Sequence, residues 1–293
     1  MTQGTTPRRA AVLGRPVAHS LSPAMHRAAY AALRLDGWSY DARETDEADL
    51  ARTVAACGDD SAWAGLSLTM PLKRAVVPLL AGTDPVAAAT GVVNTVTWDD
   101  DRRPHGANTD VDGVERAVAA VLTPAAAPRT GLVLGGGATG VSAVAALARL
   151  GCTEVVGAVR DPARARPLLA VGVACDVAVR LVPFAGAAAA VDAADVVVST
   201  APAGAADVVA ADLPPAGERP QVLLDVVYAP WPTALAAAWG RRGPVVDGLE
   251  MLAHQAVGQV RLMTGHAPDA AVLRAAALAE RRRRAEADLL GRP

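Results

Sequence analysis

Between the apolar stretch Gly131-Leu132-Val133-Leu134 and an alanine- and valine-rich run ending at Leu150 stands Gly135-Gly136-Gly137-Ala138-Thr139-Gly140. Gly135, Gly137 and Gly140 keep the G-x-G-x-x-G spacing at a strand-to-helix turn. The first glycine allows the tight turn, and the second lets backbone approach a pyrophosphate. The third permits close packing of helix on strand. Unpaired N–H groups at the helix N-terminus then face the phosphates. This turn commits its part of the chain to a parallel strand–helix–strand unit. Taken alone, a glycine-rich turn without a ligand remains the alternative.

The end of the following strand selects the cofactor, since NAD sites place a carboxylate there and NADP sites an arginine. The chain reads Ala158-Val159-Arg160-Asp161. Arg160, with Arg164 and Arg166 close behind, favours NADP; Asp161 opposes a 2′-phosphate and leaves NAD possible. Strand patterns recur at residues 131–134, 154–159, 195–199 and 222–226, and from residue 248 onward the pattern is helical. The proline-punctuated stretch 122–130 reads as a loop or linker. Before it, strand patterns at 10–14, 38–42, 65–69 and 92–97 alternate with helices at 23–33 and 46–57. Alternation of this kind predicts an α/β fold with mainly parallel sheets.

Charge and cysteine usage exclude several function classes. A net charge of −2 gives no electrostatic case for nucleic acid or an anionic membrane. The one dense basic run, Arg281 to Arg284, reads as a solvated helix end. Cys57, Cys152 and Cys175 are an odd number without metal-ligand spacing, and His19, His26 and His254 share no spacing that suggests a metal. The polar string Met1-Thr2-Gln3-Gly4-Thr5-Thr6-Pro7-Arg8-Arg9 lacks an apolar signal segment. A cytoplasmic protein with a small-molecule partner is the expectation, with monomer and homodimer both open.

Of the 28 cationic side chains one is a lysine, Lys73, in Gly65-Leu66-Ser67-Leu68-Thr69-Met70-Pro71-Leu72-Lys73. A chain that otherwise uses arginine keeps an ammonium here, a group that can be desolvated and hand over a proton. The alternative is a chance surface lysine. Ser20 and Ser22 stand two residues apart in Gly14-Arg15-Pro16-Val17-Ala18-His19-Ser20-Leu21-Ser22-Pro23-Ala24-Met25-His26. They suit a carboxylate bound through hydroxyl donors, or simple helix capping by Ser22 ahead of Pro23. Asp110 likewise reads as an acid or as a helix cap, although Asp112 is the better cap.

These strings, with Gly91-Val92-Val93-Asn94-Thr95, Asn108-Thr109-Asp110, Asp225-Val226-Val227-Tyr228-Ala229-Pro230 and Gly248-Leu249-Glu250-Met251-Leu252-Ala253-His254-Gln255-Ala256, make the chain closely similar to the shikimate dehydrogenase family. The resemblance spans nearly the whole sequence in order. It implies a discontinuous α/β substrate domain at residues 1–110 and 249–293, and a Rossmann NADP-binding domain at 111–248, with a cleft between them. It implies reversible reduction of 3-dehydroshikimate by NADPH. Lys73 and Asp110 match the catalytic pair. Ser20, Ser22 and Tyr228 match residues that hold the substrate carboxylate, and Thr69, Asn94 and Gln255 those that bond ring hydroxyls. The loop from Gly135 to Gly140, Arg160, Gly248 and Met251 match the cofactor side.

Two departures lie in the cofactor domain. Many members carry Asn-Arg-Thr where this chain has Val159-Arg160-Asp161, and Asn-Ala-Thr-Ser where it has Ser199-Thr200-Ala201-Pro202. A quinate/shikimate or aminoshikimate dehydrogenase using NAD or NADP therefore stays open. So do a methylene-tetrahydrofolate dehydrogenase-like enzyme and a catalytically silent nucleotide sensor.

Overall fold

A computed structural model describes residues 7–122 and 127–289. Residues 1–6 of the polar N-terminal string and residues 123–126 of the linker stretch lie outside this set. The chain divides into two compact units, one of residues 1–109 and 253–293, the other of residues 110–252.

The first unit runs β1 (Arg8–Gly14), α1 (Ser22–Ala32), β2 (Trp38–Glu44), α2 (Glu47–Asp59), β3 (Trp63–Leu68), α3 (Leu72–Ala75), β4 (Gly82–Thr83), α4 (Pro85–Thr90), β5 (Thr95–Trp98) and β6 (Pro104–Ala107). Its sheet has the order β2-β1-β3-β5-β6-β4. Pairing of β1 with β2 and with β3 is parallel, whereas β5 runs antiparallel to both β3 and β6. The residues after β1, β3 and β6 and those before β5 therefore gather at one edge. Leu13, Leu50, Val54, Leu66, Leu68 and Val96 share the buried layer beneath α2. That helix is fixed at both ends. Asp46 Oδ1 accepts the N–H groups of Ala48 and Asp49, each at 3.1 Å. Arg102 donates to the carbonyls of Cys57 and Gly58 at its end, each at 2.8 Å.

The second unit starts with α5 (Asp110–Ala119) and continues β7 (Thr130–Leu134), α6 (Ala138–Arg149), β8 (Glu154–Val159), α7 (Arg166–Ala174), β9 (Ala178–Pro183), α8 (Ala187–Val191), β10 (Val196–Ser199), α9 (Asp207–Ala211), β11 (Val222–Asp225), α10 (Ala234–Ala238) and β12 (Val245–Asp247). All six strands are parallel in the order β12-β11-β10-β7-β8-β9. Counted within the unit this is 6-5-4-1-2-3, the doubly wound dinucleotide-binding arrangement, and the order reverses between β7 and β10. Helix α11 (Gly248–Thr264) leaves this unit, and α12 (Ala270–Leu289) packs along α1.

The α/β class expected from the sequence is the observed one, with four strands that the patterning did not announce. β4 and β12 have two and three residues, too few to show a period. β6 carries Pro104 and Gly106, residues that read as turn formers until β5 pairs beside them. β9 lies at the sheet edge, where neither face is fully buried.

Candidate active site

At the gathered edge of the first sheet, α1 begins with Ser22 itself. Its N-cap position is Leu21, which makes no side-chain cap bond. Ser22 is therefore not the helix cap. Instead Ser20 Oγ accepts the Ser22 N–H at 3.2 Å, leaving the Ser20 hydroxyl proton available to other acceptors. Thr69 and Lys73 follow β3, both half-buried. The Lys73 carbonyl accepts the N–H of Val93 at 2.8 Å, and the Leu68 N–H donates to the Asn94 carbonyl at 2.8 Å. The Thr69–Lys73 turn is thus laced to the start of β5.

Asn94 is buried and almost fully committed. Its Oδ1 accepts from Thr109 N at 3.0 Å and from Thr95 Oγ1 at 2.8 Å. Its Nδ2 donates to Thr109 Oγ1 at 2.9 Å and to Gln255 Oε1 at 3.4 Å. Gln255 arrives on α11, 161 residues further along the chain. Ser20, Ser22, Thr69, Lys73, Asn94 and Gln255 thus belong to one unit. Asp110, Tyr228, the glycine loop, Arg160, Gly248 and Met251 belong to the other, except that Asp110 follows Thr109 by a single peptide bond.

Gln259 was not singled out by the sequence, yet it anchors this network. One turn after Gln255 and on the same helix face, its Nε2 donates to the Asn94 carbonyl at 3.0 Å and to Thr95 Oγ1 at 3.1 Å. A carbonyl only accepts, so the amide orientation is fixed and Oε1 must be the acceptor end. It accepts from Ser67 Oγ at 2.9 Å, and Ser67 in turn accepts from the Tyr40 hydroxyl at 2.6 Å. Ser22 also hydrogen-bonds Tyr40. A one-directional chain therefore joins the Ser20–Ser22 turn to Asn94. The signal available in sequence was faint: a glutamine four residues after Gln255.

His26 completes the cluster, stacked on Tyr40 at 3.9 Å between ring centroids and with Nε2 at 3.3 Å from Gln259 Oε1. Since Oε1 accepts, Nε2 carries the proton and buried Nδ1 is a bare lone pair. Burial drives its pKa from 6.5 down to about 3, with the Gln259 bond opposing weakly. The ring is neutral in the folded protein. Between those two values the unfolded chain binds the extra proton, so stability is complete above about pH 6.5 and falls as pH drops toward 3. The expected slope from this residue is up to about 1.4 kcal/mol per pH unit. Urea midpoints measured across that range should decline less steeply for His26→Gln; equal slopes would show that the ring is not held neutral.

In the second unit the glycine loop has the geometry its spacing demands. Gly135 sits at φ +112°, and a Cβ on Gly140 would lie 2.3 Å from the Gly135 carbonyl oxygen. Nothing lies within 4 Å of a Cβ position on Gly137. The first turn of α6 has no side-chain cap, so its N–H groups are open to an anion. At the end of β8, Arg160 is exposed and makes no ion pair among the described residues. The carboxylate of Asp161 is turned to its own loop, accepting the N–H groups of Ala163 at 2.9 Å and Arg164 at 3.4 Å. An open glycine cradle, an uncapped helix start and a free guanidinium fit a dinucleotide with a 2′-phosphate.

Gly248 has a separate necessity: a Cβ there would fall 2.0 Å from the Val226 carbonyl oxygen. Met251 is buried on α11, and Tyr228 lies half-buried in the loop after β11. Asp112 is not a cap either. Helix α5 already begins at Asp110, and Asp112 pairs with Arg149 of α6 at 2.7 Å. Burial pushes the Cys152 thiol up to about 12 and raises Cys57, so neither is a ready nucleophile. Among the described residues no group of His, Cys, Asp and Glu could hold a metal ion, and no helix is long and apolar enough to cross a membrane.

A family model for the shikimate dehydrogenase substrate binding domain matches residues 12–96, and one for the shikimate 5′-dehydrogenase C-terminal domain matches residues 248–278. The chain is 38% identical over 272 residues to the shikimate dehydrogenase (NADP(+)) of Moorella thermoacetica, covering 90% of each. It is 39% identical to the solved shikimate dehydrogenase of Mycobacterium tuberculosis, with a TM-score of 0.80 over 93% of this chain and 99% of that one. The Thermus thermophilus shikimate 5-dehydrogenase, solved in complex with NADP(H) and shikimate, is 33% identical, with a TM-score of 0.77 over 92% of this chain and 98% of that one.

Proposed function

The chain belongs to the shikimate dehydrogenase family, and from that premise we propose that it catalyses the reversible NADP-dependent reduction of 3-dehydroshikimate to shikimate on the chorismate route to aromatic amino acids. The observation that carries this reading is the hydrogen-bonded edge of the first sheet. There neutral donors and acceptors, Ser20, Ser22, Thr69, Asn94 and Gln255, belong to the same unit as the chain's one lysine. Such a set suits a polyhydroxylated ring, because a site that pairs each hydroxyl rejects analogues that lack one. We assign substrate to the unit of residues 1–109 and 253–293, and the dinucleotide to that of residues 110–252.

When bound, NADPH supplies the hydride that turns the ketone into an alcohol. The chain's own task is to answer the negative charge that develops on the carbonyl oxygen. Lys73 is the cation for it, and an ammonium also has a proton to give. Asp110 is assigned as the carboxylate of the catalytic pair, an acceptor for an ammonium and for a ring hydroxyl. The carboxylate is assigned to the Ser20–Ser22 turn, with the Ser20 hydroxyl proton as its donor, and Tyr228 is the further candidate for it. Thr69, Asn94 and Gln255 fix the ring, and the buried chain through Gln259, Ser67 and Tyr40 anchors Asn94. On the cofactor side the backbone of Gly135–Gly140 cradles the pyrophosphate and Arg160 meets the 2′-phosphate. The three cysteines are unpaired, two of them buried, which supports a reducing cytoplasm.

Initial rates with shikimate and with quinate, each against NADP and NAD, test the assignment. Shikimate with NADP should be the fastest of the four pairs. A lead for quinate or for NAD would move the enzyme to the quinate/shikimate branch.

A further inference from the structure

In the basic run near the C-terminus Arg282 and Arg283 are exposed, as a solvated helix end would be, but Arg284 is not. Arg284 is two-thirds buried and reaches back across 264 residues to the turn that carries Ser20. Its Nη2 donates to the Ser20 carbonyl at 3.0 Å and its Nη1 to the Ala18 carbonyl at 3.4 Å. Its Nε donates to Glu280 Oε1 at 2.7 Å. Glu280 also takes both arms of Arg283, at 2.7 and 2.8 Å, and the two guanidinium groups hold its pKa down to about 2. The carboxylate is therefore always charged near neutral pH and always available to aim Arg284.

Elsewhere that turn is held by the Arg15 N–H on the Met70 carbonyl at 3.0 Å and by buried Val17. Arg15, Pro16, Ala18 and His19 are exposed, and Ser20 N donates to the Val17 carbonyl at 2.9 Å. With its N–H, its carbonyl and one Oγ lone pair engaged, Ser20 keeps its hydroxyl proton as the one group it can donate to a carboxylate. A guanidinium on the Ser20 carbonyl fixes the direction of that offer. It also places a positive charge behind a site built from neutral hydroxyls.

We infer that Arg284, aligned by Glu280, is a positioning residue for the Ser20–Ser22 turn, so that the C-terminal helix sets affinity for the substrate carboxylate. The inference rests on the proposed reading of Ser20 and Ser22 as carboxylate binders. It separates Arg284 from the catalytic groups, which it does not touch among the described residues.

The test uses the full chain with Arg284→Met and Arg284→Lys, assayed with shikimate and with its uncharged methyl ester. Arg284→Met should raise the KM for shikimate roughly three- to tenfold, the worth of one or two partly exposed charge-assisted bonds. The kcat and the KM for NADP should stay unchanged. Arg284→Lys should recover part of the loss, since it restores the charge but not the fork. For the ester the penalty should disappear, and added salt should narrow the gap for shikimate. An unchanged shikimate KM in Arg284→Met, or an equal penalty on the ester, overturns the inference and makes Arg284 a brace for the helix only. A parent protein that neither oxidises nor binds shikimate sinks the proposed function along with it, whereas an active parent with an indifferent Arg284 sinks this inference alone.

Discussion

Replacing Lys73 by alanine is expected to lower kcat about a thousandfold, within the range of 10²–10⁴ that a positioned acid or base supplies. Affinity for NADP should stay near that of the parent, because the cofactor loop belongs to the other unit. Lys73 sits on the four-residue helix α3, whose backbone is tied to β5 through the Val93 N–H. That tie uses main-chain atoms only, so truncating the side chain leaves the turn in place. Rates in pre-steady state should fall together with kcat, which locates the loss in the chemical step. Lys73→Arg sharpens the result: it keeps a cation but withholds a proton. Activity recovered by arginine would assign Lys73 to charge stabilisation, and activity lost alike in both variants would assign it to proton transfer. If Lys73→Ala instead weakens NADP binding as much as turnover, the lysine is structural.

Arg160→Leu is expected to cut kcat/KM for NADP roughly ten- to a hundredfold, as loss of charge-assisted bonds to a phosphate would. The value for NAD should scarcely move. Arg160 is exposed at the end of β8, and the neighbouring Asp161 is occupied as an acceptor for Ala163 and Arg164. The acid that seemed to argue against a 2′-phosphate therefore serves the local turn. A preference for NADP that survives the substitution would remove Arg160 from the phosphate site and bring Arg164 and Arg166 forward as candidates.

What the sequence disclosed and what it hid divide along a physical line. The glycine loop was legible because each glycine answers a backbone demand within six residues: positive φ at Gly135, and a close approach at Gly140. Ser22 and Asp110 were placed at helix starts correctly, but their neighbours were misjudged. Capping is a three-residue affair, and a shift of one residue moves the duty from Ser22 to Leu21. Asp112 was taken by an arginine 37 residues away. The buried network was the least legible part. Gln259 meets Ser67 across 192 residues and His26 across 233, and nothing local marks a glutamine on a helix as an anchor. Arg284 shows the same limit. Charge runs near a chain end look solvated until the fold brings a carbonyl to them.

The return of α11 to the first unit has a consequence for how the molecule comes to exist. By Ala107 all six strands of the first sheet have been made, yet Gln255 and Gln259 are still to come, behind the 143 residues of the second unit. At about 5–20 residues per second on a ribosome, that interval lasts on the order of ten to thirty seconds. Throughout it the Asn94 carbonyl and the Ser67 hydroxyl lack their bonds to Gln259. The nascent first unit is therefore an open half-product, while the second unit has its whole sequence in one piece and is free to fold during the wait. Synthesis thus gives the second unit its chance to order first, and α11, emerging after it, closes the unit whose sheet was made earlier.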